Sequence, residues 1–283
     1  MRKLFSLCVL VVLISSSNGY GQSINKEAEE AFEKGNEAFE KASFITLDAQ
    51  SIYVFNSAII NFTKAIKLDP KYTNAYLNRG STYNELKKYP EAIADFTKAI
   101  ELDPKYVFAY NNRGFTYKAL KKYPEAIADY TKAIELDPKF AAAYNGLGAV
   151  YNALKKYPEA ITVYTKAIEI DPKDANAYDG LGEMYNALKK YPEAIAVYTK
   201  AIELDDDPLN GPIFPGLFYI YNGRGDAYRD LKKYPEAIAD YTKAIKLDPK
   251  YTIAYYNRGL AYKALGKTKE AEADFAKAKE LEK

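Results

Sequence analysis

The sequence predicts an all-α protein: a solenoid of stacked helix pairs, about seven units long. Three observations predict it. First, a Tyr-Pro pair recurs at Tyr89-Pro90, Tyr123-Pro124, Tyr157-Pro158, Tyr191-Pro192 and Tyr234-Pro235, at intervals of 34, 34, 34 and 43 residues. A fixed period in this range marks an architecture in which each unit buries its apolar face only against its neighbours. Second, helical spacing occurs twice within each period. Tyr76, Gly80 and Tyr83 share one face of a first helix, and Ala92, Phe96 and Ala99 form the apolar stripe of a second. Third, the expected stop and start signals separate the two. Lys87-Lys88 put cations at the negative end of the first helix, Pro90 suits the first position of the second, and Asp103-Pro104 ends it.

Taken in order, residues 1–21 read as a secretory signal. Met1-Arg2-Lys3 is followed by an apolar run from Leu4 to Ile14, then by small and polar residues up to an expected cut after Gly21. The run is too short to span a bilayer, which takes about 20 residues. Residues 25–71 are expected to form an irregular first unit. Phe32-Glu33-Lys34-Gly35-Asn36 marks its first helix, and Ala58, Phe62, Ala65 and Pro70 mark its second. Between them lie about eleven residues more than the period allows, expected as a lengthened loop or helix end. Residues 72–207 hold four regular units. Residues 208–216 are a Pro/Gly-rich insertion whose three prolines and two glycines exclude a helix, and its Ile213 and Phe214 are candidate contacts for a partner. Residues 217–283 hold two more units. The last replaces Tyr-Pro-Glu-Ala with Thr268-Lys269-Glu270-Ala271, giving the solvated face that a terminal cap requires.

The recurring pattern resembles the tetratricopeptide repeat. Its signature is carried here by Tyr76, Gly80, Tyr83, Ala92, Phe96, Ala99 and Pro104 and by their counterparts over about 72–283, with an irregular copy at 25–71. The resemblance implies antiparallel helix pairs in a right-handed superhelix. It also implies a concave groove, lined by the first helices, that holds a peptide or helix of a partner protein. Groove-facing positions would then include Asn78, Phe108, Asn111, Asn112, Phe115, Asn145, Tyr219, Asn222, Arg229, Tyr256 and Asn257, together with Asp179, Glu183, Asn186 and Asp226. Of these, Asn78, Asn112 and Asn257 fall where the family's peptide-holding asparagines stand, while Gly146, Gly180 and Gly223 interrupt the row. An amide both donates and accepts, so such a row would hold a peptide backbone without demanding a sequence. Tyr219, Tyr256, Phe108 and Phe115 are candidate anchors for apolar side chains. The family's clamp for a chaperone's C-terminal carboxylate is not expected, because Phe108 and Asn112 stand where its cations would be.

Composition narrows the chemistry. There is no histidine, and the one cysteine, Cys8, lies in the expected signal. Thiol and imidazole catalysis and Cys/His metal sites are therefore excluded from the mature chain; no catalytic residue, cofactor or metal is expected. Loss of Arg2 and Lys3 from the 40 basic residues balances the 38 acids, so no global charge argues for nucleic acid. The Lys-Lys pairs read as a solvated edge. Of the 28 tyrosines, 24 fall on recurring packing positions, so tyrosine richness is a property of the core. The function expected is a non-enzymatic, exported (periplasmic, surface-associated or secreted) protein-interaction scaffold. The alternative is a cell-envelope assembly or glycan-binding accessory, with groove tyrosines stacking on sugars.

Overall fold

A computed structural model describes residues 25–43, 49–205 and 216–282. The expected signal and the insertion up to Pro215, with Ile213 and Phe214, lie outside the described residues. All regular structure among the described residues is α-helical, as the periodicity predicts. The helices cluster into two compact units that divide between Val150 and Tyr151.

The first unit contains α1 (Lys26–Ser43), α2 (Ala49–Leu68), α3 (Thr73–Glu85), α4 (Tyr89–Leu102), α5 (Val107–Ala119), α6 (Tyr123–Leu136) and most of α7 (Ala141–Ala153). The surplus residues of the first helix pair lengthen its helices: α1 runs 18 residues and α2 runs 20, against 13 and 14 for α3 and α4. The extension is packed, since Ala42 of α1 and Ser51 of α2 are buried. The second unit holds the end of α7, then α8 (Tyr157–Ile170), α9 (Ala175–Ala187), α10 (Tyr191–Asp205), α11 (Leu217–Asp230), α12 (Tyr234–Leu247), α13 (Thr252–Ala264) and α14 (Thr268–Leu281).

The helix joints follow from local chemistry. After α3, the Lys88 N–H donates to the Tyr83 carbonyl and the Lys87 N–H to the Asn84 carbonyl, the doubled bond pattern that closes a helix with one left-handed residue. That residue is Lys87 at φ 58°, and Lys121, Lys155, Lys189 and Lys232 repeat it at 58–60°. The last joint has Gly266 at φ 73° instead. The lysines thus close the helix through backbone geometry as well as charge. Tyr89 opens α4 and Pro90 takes its second position, one later than expected but still in the turn whose N–H groups have no helical partner. At the far end the Asp103 carboxylate accepts from the Lys105 N–H at 2.9 Å, and Asp69, Asp137, Asp171 and Asp248 form the same turn.

The core is a series of aromatic wedges. In the first unit, Phe62 and Phe96 press on Gly35 and Gly80 of their own first helices, where a Cβ would come within 2.5 and 2.8 Å of the ring. Tyr130 sits further over. A Cβ on Gly114 would clear it by 3.3 Å, but one on Gly146 of the next first helix would lie 2.3 Å away. In the second unit, Tyr198 is wedged between Gly182 and Gly223, 2.4 Å from a Cβ on either. Gly146, Gly180 and Gly223, which interrupt the asparagine row, are therefore the spaces that a preceding tyrosine requires.

A second repeating device ties the helices by charge. Arg79 grips Asp95 through two bonds of 2.7–2.8 Å and donates to Thr63 of the preceding helix at 3.0 Å. Arg113–Asp129, Arg224–Asp240 and Arg258–Asp274 repeat it. Where the arginine is absent, at Leu181, the aspartate is absent too, and Val197 packs against Leu181's cluster.

Candidate functional site

In the second unit the repeat brings the first helices α9 and α11 alongside each other. Spacings of three and four residues put Asp179, Glu183 and Asn186 on one face of α9, and Tyr219, Asn222, Asp226 and Arg229 on one face of α11. These side chains, with Gly223 and Asp230 of α11, Tyr198 of α10 and Tyr251 just ahead of α13, line a cavity of about 310 Å³ that is open to solvent.

Its electrostatics are uneven. Asp226 is neutralised and fully bonded: it accepts from Tyr241 at 2.7 Å, Asn257 at 3.1 Å and Asn222 at 3.3 Å, and pairs with Arg229 at 3.0 Å. Arg229 also pairs with Asp230 at 3.0 Å. Across the cavity, Asp179 makes no hydrogen bond or ion pair among the described residues. Glu183 has only the Asn152 amide, at a long 3.4 Å. Burial first, then the charge of Glu183, pushes the Asp179 carboxyl up to about 8, and burial also raises Glu183. The cavity floor carries a further unsatisfied group. Tyr198 is 0% exposed, and its hydroxyl has no hydrogen-bond partner. The Asn186 amide nitrogen donates to the Gly223 carbonyl at 2.9 Å, while its oxygen has no partner. Tyr219 and Tyr251 form an aromatic wall, edge to face at 5.2 Å.

Of the residues expected to face a partner, Tyr219, Asn222 and Arg229 line this cavity, as do Asp179, Glu183, Asn186 and Asp226 from the wider set of groove positions. Tyr256 lies outside it, 52% exposed and resting on Phe275 at 5.5 Å. In the first unit Phe108 is half-buried between Tyr106 and Phe140, at 6.0 and 5.4 Å. Phe115 is half-buried under the Lys118 ammonium, and Asn145 is half-buried.

The asparagine row requires a correction. Asn78 and Asn112 are 0% exposed and Asn111 is buried, so these amides do not present themselves to a peptide. Asn78 donates to Asn36 at 2.8 Å, Asn112 to Ser81 at 3.3 Å, and Asn257 to Asp226. Each joins its first helix to the one before, so the row connects neighbouring first helices. Tyr198, Tyr251 and Asp230 were not legible as site residues, because two are tyrosines on packing positions and one is an acid at a helix end. The signal that marks the cavity is a departure from the row: Glu183 stands at the register of Asn36, Ser81 and Asp226, yet the next helix offers it Gly223 and no amide.

The described residues hold no group of three acidic, histidine or cysteine side chains able to bind a metal, and no helix long and apolar enough to cross a membrane. No curated protein matches the sequence. Among solved structures, the chain is similar to a tetratricopeptide repeat protein from Parabacteroides merdae, at 23% identity and TM-score 0.66, over 91% of this chain and 94% of that one. It is similar to YrrB, described as a TPR protein with an unusual peptide-binding site, at 24% identity and TM-score 0.51, over 68% and 95%. Similarity to MamA reaches 29% identity at TM-score 0.51, over 58% and 99%. Sequence profiles described as tetratricopeptide repeat match residues 73–106, 107–140, 139–207 and 253–283, and one described as TPR repeat matches 225–266. Matched at unit after unit and folded as the repeat requires, the chain belongs to the tetratricopeptide repeat family.

Proposed function

We propose that this protein is an exported, non-catalytic scaffold that holds a partner polypeptide on the faces of its first helices, with α9 and α11 forming the principal contact. The observation that carries the reading is the cavity: beside an aromatic wall, two acids of α9, Asp179 and Glu183, line it without a cation partner among the described residues. Peptide binding in YrrB, a protein of the same fold, supports the class of ligand. Asn78, Asn112 and Asn257 join neighbouring first helices through side-chain bonds, whereas Asp179 and Glu183 of α9 face the cavity without a cation partner among the described residues.

Crosslinking and affinity capture from the native exported fraction tests this, comparing the mature chain with the Tyr219→Ala/Tyr256→Ala double variant. The expected result is a polypeptide captured by the wild type and reduced at least tenfold by the variant, since a buried aromatic anchor contributes about 2 kcal/mol or more. A wild-type protein that retains no polypeptide overturns the reading.

A further inference from the structure

On the α9 side of the cavity two carboxyl groups lie without a cation to meet them. Asp179 is unpaired among the described residues, Glu183 has one long amide contact, and the Tyr198 hydroxyl and the Asn186 oxygen are unpartnered. The only cation lining the cavity, Arg229, is already held by Asp226 and Asp230 on its own helix. A buried hydroxyl left without a partner is unfavourable and is normally satisfied by something. Tyr198 is one of the residues that line the cavity, so an occupant is a source of that partner.

An occupant of this space must be rich in donors, poor in acceptors and positively charged. An ammonium has three donors and a guanidinium five, and neither has an acceptor. An anion is repelled, whereas an incoming cation offsets the repulsion between Asp179 and Glu183 and lets the Asp179 carboxyl give up its proton. The aromatic wall suits the same occupant, because tyrosine faces attract a cation and the rings cover an aliphatic stem. A volume of about 310 Å³ admits one long side chain with its adjoining backbone. It is at the small end of ligand pockets, which run from about 300 Å³.

We propose that the cavity between α9 and α11 receives a lysine or arginine side chain of the partner polypeptide, bound by the carboxylates of Asp179 and Glu183 with the Tyr198 hydroxyl as a third acceptor. This rests on the reading of the protein as a polypeptide-binding scaffold and specifies the partner: a segment that places a basic residue opposite α9. It also explains why Glu183 faces Gly223. An amide at that register, as at Asn78, Asn112 and Asn257, would meet Tyr198 and offer the acid an internal partner.

The test uses the mature full chain and capped heptapeptides of sequence Gly-Ser-Ala-Xaa-Ala-Ser-Gly, with Xaa as Lys, Arg, Gln or Glu, titrated while amide resonances of α9 and α11 are followed by NMR. Lys and Arg peptides are expected to bind at least tenfold more tightly than Gln, and Glu most weakly. Asp179→Asn/Glu183→Gln removes that preference. Tyr198→Phe, which keeps the wedge and deletes the hydroxyl, weakens the basic peptides several-fold and leaves Gln unchanged. Circular dichroism of each variant confirms that the helices persist. Equal binding of all four peptides overturns the basic-residue assignment while leaving the scaffold reading intact. Equal binding of free lysine amide and the Lys peptide overturns the polypeptide source. Absence of any shift on α9 and α11 overturns the assignment of this cavity, and the capture experiment above decides the scaffold reading independently.

Discussion

Asp179 shows at the scale of a single residue how a repeat protein departs from its own rule. Its carboxyl is pushed from 3.8 to about 8 by burial and by Glu183. The titratable and charged groups around it are Glu183 on its own helix, the neutral Tyr198 on α10, Tyr219, Asp226, Arg229 and Asp230 on α11, and Tyr251 ahead of α13; Arg229, the one cation among these described residues, is engaged elsewhere. The folded chain therefore keeps a proton that the unfolded chain gives up, and stability contributed at this site falls as pH rises from about 4 to about 8. Asp179→Asn is expected to raise stability by about 1–3 kcal/mol at pH 8 and to change nothing near pH 4, read from thermal melts across that range. A residue that destabilises the fold at neutral pH is the kind that function retains. Its position was legible in the sequence from spacing alone. Its isolation was not, because that depends on Gly223 and Arg229, 44 and 50 residues further along the chain.

At the scale of helices, the pattern exchanges whole interactions rather than single side chains. Arg113 and Asp129 are 17% and 7% exposed at the side chain, so each would be left uncompensated without the other. Where the arginine becomes Leu181, its partner position is Val197, and the two pack with Tyr164 and Met184. Replacing a well-paired buried ion pair by apolar groups of similar volume is often neutral, whereas breaking it by halves costs about 3–5 kcal/mol. Arg113→Leu alone is accordingly expected to destabilise by about 2–4 kcal/mol in urea titration, and Arg113→Leu/Asp129→Val to recover most of that loss. The sequence held this signal at a constant spacing of 16 residues: Arg79/Asp95, Arg113/Asp129, Arg224/Asp240 and Arg258/Asp274. It is easily overlooked beside the aromatic period, because charged positions are by habit assigned to solvent. The tyrosine-for-glycine exchange is a parallel case. Gly146 yields its side chain so that Tyr130 can reach across, and neither residue is explained alone.

For the whole molecule, the period fixed fold class and helix content from sequence, whereas the site had to await three-dimensional contacts. Charge illustrates the difference. A chain with 40 basic and 38 acidic residues carries little net instruction about partners, yet one cavity sets four acids, on α9 and α11, against a single arginine. Global balance and local imbalance coexist because the repeated arginines and aspartates pair with each other, whereas Asp179 and Glu183 have no cation partner among the described residues. The proposed export belongs to this scale. Intact mass of the protein recovered from the exported fraction is expected to correspond to a chain beginning at Gln22, and a chain still bearing Met1 to Gly21 there would contradict cleavage. The Tyr198 wedge has one last consequence, an optical one. The chain contains no tryptophan, so its near-ultraviolet spectrum is dominated by tyrosine. Under the proposed binding of a basic side chain, an ammonium that engages this dry phenol changes the polarity around its chromophore, so the residue between α9 and α11 would also be a built-in reporter, readable as a difference spectrum without any label.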